Sequence, residues 1–100
     1  MIRHVVMWRL EDEVKRTQMA ALTTQLQTLA VSMRVAIPGL LRLEVGSSSS
    51  KGQDAADLLL FSEFESWRAL EAYETHPLHV QLKTLLSPLR KEKRVVDYET

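Results

Sequence analysis

The sequence predicts an α+β chain of order βαββαβ: a ferredoxin-like fold with a four-stranded antiparallel sheet and both helices on one face. Three observations predict it. Two leucine-rich stripes at helical spacing alternate with apolar runs of strand length. Turn signals separate these runs, chiefly Ile37-Pro38-Gly39 and the polar run Gly46-Ser47-Ser48-Ser49-Ser50-Lys51-Gly52-Gln53. Finally, the strand-like runs are apolar on both faces, although the helices of this fold cover only one. The uncovered face then calls for a second sheet, and a homodimer is the simplest source of one.

Ile2 to Leu10 is rich in Val, Ile, Met and Trp and reads as a strand, with Ile2, His4, Val6 and Trp8 on one face. After the acidic turn Glu11-Asp12-Glu13, a long helix is expected to about Val35. Its stripe is Leu22, Leu26, Leu29 and Met33. Leu41 to Val45 alternates strictly, as a half-buried strand does. Asp57 to Phe64 reads as a strand covered on both faces, because Leu58 to Phe61 is continuously apolar. Ser66 is placed to cap a helix carrying Trp67, Leu70 and Tyr73. Proline suits a first helical position and pushes the residue before it out of the α region. The helix through Tyr73 should therefore stop near Thr75, and another should begin at Pro77 with a stripe of Leu78, Leu82, Leu85 and Leu89. Arg90 to Arg94 reads as the solvated basic end of that helix, followed by a short last strand over Val95-Val96-Asp97-Tyr98.

A chain of 100 residues, 45% hydrophobic and 26% charged, has the composition of one ordinary globular domain over residues 1–100. Thirteen basic residues balance thirteen acidic ones, which argues against nucleic acid or an anionic membrane as partner. No apolar run approaches the roughly 20 residues of a membrane span. The first residues lack the regions of a secretory signal, so a cytoplasmic location is expected. Without cysteine there are no disulfides, thiolate metal sites or thiol nucleophiles. No nucleotide loop, nucleophile elbow or zinc motif is present.

The chemistry on offer lies around the Pro77 break, in Tyr73-Glu74-Thr75-His76-Pro77-Leu78-His79-Val80, and at His4. Histidine shuttles protons near neutral pH, and a tyrosine hydroxyl donates to a carbonyl. A corner at Pro77 would turn Tyr73 and His79 towards one space, and if the helices cover the sheet face that bears His4 and Trp8, these residues would line a single cavity. Each has an alternative reading: His4 as a hydrogen-bonded core residue, His79 as cover for a helix start, Tyr73 as a packed ring. His76 reads as a turn residue. His76 and His79 stand three apart, but no carboxylate or cysteine set accompanies them, so no metal is expected.

Taken together, Ile2-Arg3-His4-Val5-Val6-Met7, Ile37-Pro38-Gly39, Phe64-Glu65-Ser66, Tyr73 to Val80 and Val95-Val96-Asp97-Tyr98 resemble the stress-responsive dimeric α/β-barrel (Dabb) family over almost the whole chain. The resemblance implies two sheets forming a barrel across a homodimer. Some plant members are stable, stress-induced oligomers. More distantly, the chain is similar to olivetolic acid cyclase, a Dabb polyketide cyclase that works by aldol condensation without a cofactor. That likeness implies His79 and Tyr73 as a catalytic proton-transfer pair, with His4 lining the pocket; Trp8, on the same strand face as His4, is a further substrate-binding candidate. The likeness places Leu58 where the cyclase has a further pocket histidine, so the pocket here is expected to be more apolar. The resulting expectation is a homodimer with a small hydrophobic or carbonyl ligand, no cofactor, and acid–base chemistry on a polyketide-like compound. The alternatives are a non-enzymatic stress-associated oligomer and a monooxygenase of the same superfold.

Overall fold

The computed structural model describes all 100 residues. Its elements are β1 (Ile2–Leu10), α1 (Asp12–Thr17), α2 (Met19–Ala36), β2 (Leu40–Ser47), β3 (Leu58–Phe64), α3 (Trp67–Glu74), α4 (Pro77–Leu86) and β4 (Arg90–Glu99). The four strands form one antiparallel sheet in the order β2-β3-β1-β4, the ferredoxin-like arrangement expected from the sequence. The core lies between the helices and one sheet face. It takes Ile2, Val6, Trp8 and Leu10 from β1, Leu58, Leu60 and Phe64 from β3, and Leu22, Leu26, Ala30 and Met33 from α2. No helix is long and apolar enough to cross a membrane.

The structure departs from the expected elements in three places. The first long helix is broken at Gln18, whose backbone (φ −125°, ψ −1°) leaves helical geometry between α1 and α2. Val14 and Leu22 are both buried, yet eight positions apart on an unbroken helix they would point about 80° away from each other. The break lets both face the core. Second, Arg90 to Arg94 is not a helix end: it belongs to β4, which pairs with β1 from Leu10 back to Ile2. Pro88 stops α4 early, and the Leu89 carbonyl then accepts the Glu11 N–H at 2.9 Å, setting the chain beside β1. Of the basic side chains along this strand, Lys91 reaches Asp12 at the start of α1 at 2.9 Å, and Arg94 pairs with Glu92 two residues back on the same strand. Third, the continuous apolar run of β3 is covered on alternate residues within the chain. Leu58 and Leu60 are buried, whereas Leu59 and Phe61 emerge on the open face. The strand itself begins at Leu58, and the Asp57 carboxylate accepts the Leu10 N–H at 2.8 Å.

That open face is apolar across three strands. Val5 pairs with both Phe61 and Val96, and Met7 with Leu59, while Tyr98 lies opposite Arg3. At the other end of the helix layer, α2 hands over to β2 through Gly39 at φ +77°, a backbone region that favours glycine. A Cβ on Gly39 would meet the Cβ of Ala69 at 2.6 Å, so the turn also lets α3 pack closely.

Candidate functional site

Two short helices make the corner that the sequence implied. Ser66 caps α3 by accepting the Ala69 N–H at 3.1 Å, and the helix buries Leu70 and Tyr73. Trp67 lies outside this stripe and is largely exposed. The helix ends at Glu74, His76 is extended, and Pro77 opens α4. His76 caps α4: its Nδ1 accepts the Leu78 N–H at 3.1 Å. His79 stands in the first turn of α4. Its Nδ1 lies 2.9 Å from the backbone oxygen of Glu74. A carbonyl can only accept, so Nδ1 carries the hydrogen and Nε2 keeps a lone pair. The helix end thereby selects one tautomer, and that tautomer is a base at Nε2.

Tyr73 packs against this ring, with centroids 4.4 Å apart. Its hydroxyl is the one buried side-chain polar atom without a hydrogen-bond partner. Burial, helped by the charge of Glu74, pushes the phenol upward from its ordinary value of 10.0, so it stays a protonated donor. Burial also pushes His79 below its ordinary 6.5. The hydrogen bond to Glu74 opposes that shift, while the charges of Lys83, Lys93 and His4 reinforce it. His79 is therefore neutral at pH 7.

His4 approaches from the sheet. Its ring lies 5.9 Å from that of Tyr73 and 6.4 Å from that of Phe64, edge-on to both. The strand register sets Asp97 beside it, and His4 donates through Nδ1 to Asp97 Oδ1 in a short contact. On the other side, Ser62 Oγ donates to the His4 carbonyl at 2.9 Å. The His4 Nδ1–H and backbone carbonyl are thus both engaged along the sheet.

A cavity of about 290 Å³ lies between these groups. His4, Trp8, Tyr73 and His79 all line it, with Val6, Leu60 and Leu82 as apolar wall. Leu58 does not: it is fully buried opposite Trp8 in the register, and Leu60 is the β3 residue at the cavity. The sequence reading also missed Asp97, Lys83, Arg90 and Lys93. An alternating pattern in β4 would have placed Asp97 and Lys93 on the helix side, but the register that sets them against His4 and Trp8 is not local information. Residues 48–57 lie outside the cavity. No group of three or more potential ligands among His, Cys, Asp and Glu comes together as a metal site.

The family model for the stress responsive A/B barrel domain (Dabb) matches residues 2–100. The chain belongs to the Dabb family. Among solved structures, a dimeric ferredoxin-like protein of unknown function from Bacteroides fragilis is similar to it at 25% identity. The TM-score is 0.88, covering 99% of this chain and 95% of that one. A Dabb protein from Mesorhizobium loti shares 23% identity at a TM-score of 0.74, again covering 99% of this chain and 95% of that one. A protein described as an antibiotic biosynthesis monooxygenase is 14% identical at a TM-score of 0.79, covering 100% of this chain and 98% of that one, a likeness of fold alone. No curated protein matches this Dabb chain.

Proposed function

We propose that this Dabb domain is a homodimer that binds a small carbonyl compound in the cavity and moves protons on it by cofactor-free acid–base catalysis. The observation that carries the reading is the fixed tautomer of His79, a neutral imidazole whose Nε2 is left as a base, on a ring packed against a tyrosine whose buried hydroxyl is unpartnered. In the proposed step His79 Nε2 takes a proton from the carbon next to the carbonyl. The C–H pair becomes the new C=C bond, and the C=O pair moves to oxygen, where the Tyr73 hydroxyl donates to the enolate. Return of the proton from the imidazolium to carbon completes an exchange or isomerisation. Attack of the enolate on a second carbonyl of the same molecule would give a cyclisation. His4, held by Asp97, and Trp8 shape the wall that receives the substrate.

The test is deuterium exchange into benzoylpropionate, a small keto acid, at the carbon beside its ketone, followed by NMR in D2O. Positioned general bases contribute roughly 10²–10⁴-fold, so His79→Ala should lose at least about 100-fold of the catalysed rate. Wild-type exchange in that variant, with folding intact, sinks the catalytic reading.

A second reading is a non-enzymatic stable oligomer. It draws on the His4–Asp97–Ser62 chain, which satisfies its own hydrogen bonds along the sheet. That reading expects no catalysed exchange by the wild type. The monooxygenase alternative has only the shared fold behind it.

A further inference from the structure

We infer that the compound this cavity accepts is an acid, its carboxylate held among Lys83, Arg90 and Lys93 while its carbonyl end lies against Tyr73 and His79. The inference rests on the substrate reading above and adds the charge of the substrate.

All three cations line the cavity. None has a carboxylate within salt-bridge distance, whereas seven of the chain's other ten Lys and Arg residues do: Arg3, Arg9, Lys15, Arg16, Arg42, Lys91 and Arg94. In a chain with as many acids as bases, three unmatched cations at one cavity are a local feature rather than a reflection of composition. Two carboxylates do line the same space. Asp97 is engaged by His4, and Glu74 pairs with none of the three.

The cations come from two elements, Lys83 from the last turn of α4 and Arg90 and Lys93 from β4. Complementing the negative end of a helix accounts for Lys83. It does not account for the two on a strand. Lys93 is partly withdrawn from water and pushed below its ordinary value, first by burial and then by Arg90 and Lys83, with the Glu74 charge opposing the shift only in part. A bound carboxylate would relieve that repulsion. It would also cancel the Lys83 and Lys93 charges that depress His79 and so make the base stronger when the acid is in place. A cavity of about 290 Å³ is at the small end for ligand sites and suits an acid about the size of benzoylpropionate.

The experiment is calorimetric titration of the whole protein with benzoylpropionate and with its neutral methyl ester. The acid should bind about tenfold more tightly at low salt, and the ratio should shrink as salt is added. In the double variant Lys93→Met/Arg90→Met the acid-over-ester ratio should collapse towards one. Equal affinities in the wild type, a preference that survives the double substitution, or no binding of either compound at millimolar concentration would overturn the inference. Exchange that depends on His79 without any acid preference would sink this inference and leave the catalytic reading standing. An acid preference that depends on the cations, with exchange indifferent to His79→Ala, would do the reverse.

Discussion

At the scale of single residues, one backbone carbonyl decides the chemistry. Glu74 ends α3, so its oxygen has no partner within the helix and takes the Nδ1–H of His79 instead. The pH dependence follows from the direction of the His79 shift. Its basic form is favoured in the free protein, so kcat/KM for exchange should rise as pH climbs through a value below 6.5 and be level by pH 7. The same group contributes stability that is fully present above its ordinary 6.5 and lost as pH falls through the lowered folded value. A rate profile whose acid limb is unchanged in His79→Ala would count against this assignment. His4 belongs to the frame. His4→Ala removes a buried ring and leaves the Asp97 carboxylate without its donor, which should cost about 2–4 kcal/mol in urea unfolding. A change within error would mean that the site tolerates collapse around His4.

At the scale of elements, two turns hold the site in place. The break between α3 and α4 was legible because proline and the residue before it have narrow backbone preferences, and the structure starts α4 at Pro77. The turn at Gly39 was legible as a helix end, but not as the seat of α3. Gly39→Ala would combine a left-handed backbone strain with a 2.6 Å approach to Ala69, so about 2–4 kcal/mol of stability should be lost. Since α3 carries Tyr73, that variant should also lose ligand affinity; a stable variant with normal affinity would show that α3 is free to shift. The break at Gln18 was not legible, because each half of the helix has a good pattern on its own. The mismatch between Val14 and Leu22 appears only once both are docked on the same sheet.

At the scale of the whole molecule, the open face of the sheet is the unsatisfied surface. Val5, Met7, Leu59, Phe61, Val96 and Tyr98 present apolar groups to solvent in one chain, with Arg3, Arg42 and Glu63 as a charged margin. A homodimer through this face predicts a wild-type mass of two chains in analytical ultracentrifugation. Val5→Glu with Phe61→Glu should give a folded monomer, because four carboxylates at the centre of a paired face cannot be buried unpaired. A monomeric wild type would rule this assembly out.

What the sequence determined by itself was local: the element order, the capping at Ser66, the corner at Pro77 and which residues of β1 share a face with His4. Hydrophobic period and the narrow φ of proline act over a few residues and need no partner segment. The pairing of Tyr73 with His79 followed from that corner, since both residues flank it. The tertiary structure alone decided the rest of the cavity. Asp97 meets His4 from ninety-three positions away, and only the pairing of β4 with β1 sets Lys93 on a strand opposite Trp8. Leu60, and not Leu58, forms the β3 part of the wall for the same reason. A strand's own pattern states which residues share a face, but only its register against a distant strand states which of them meet.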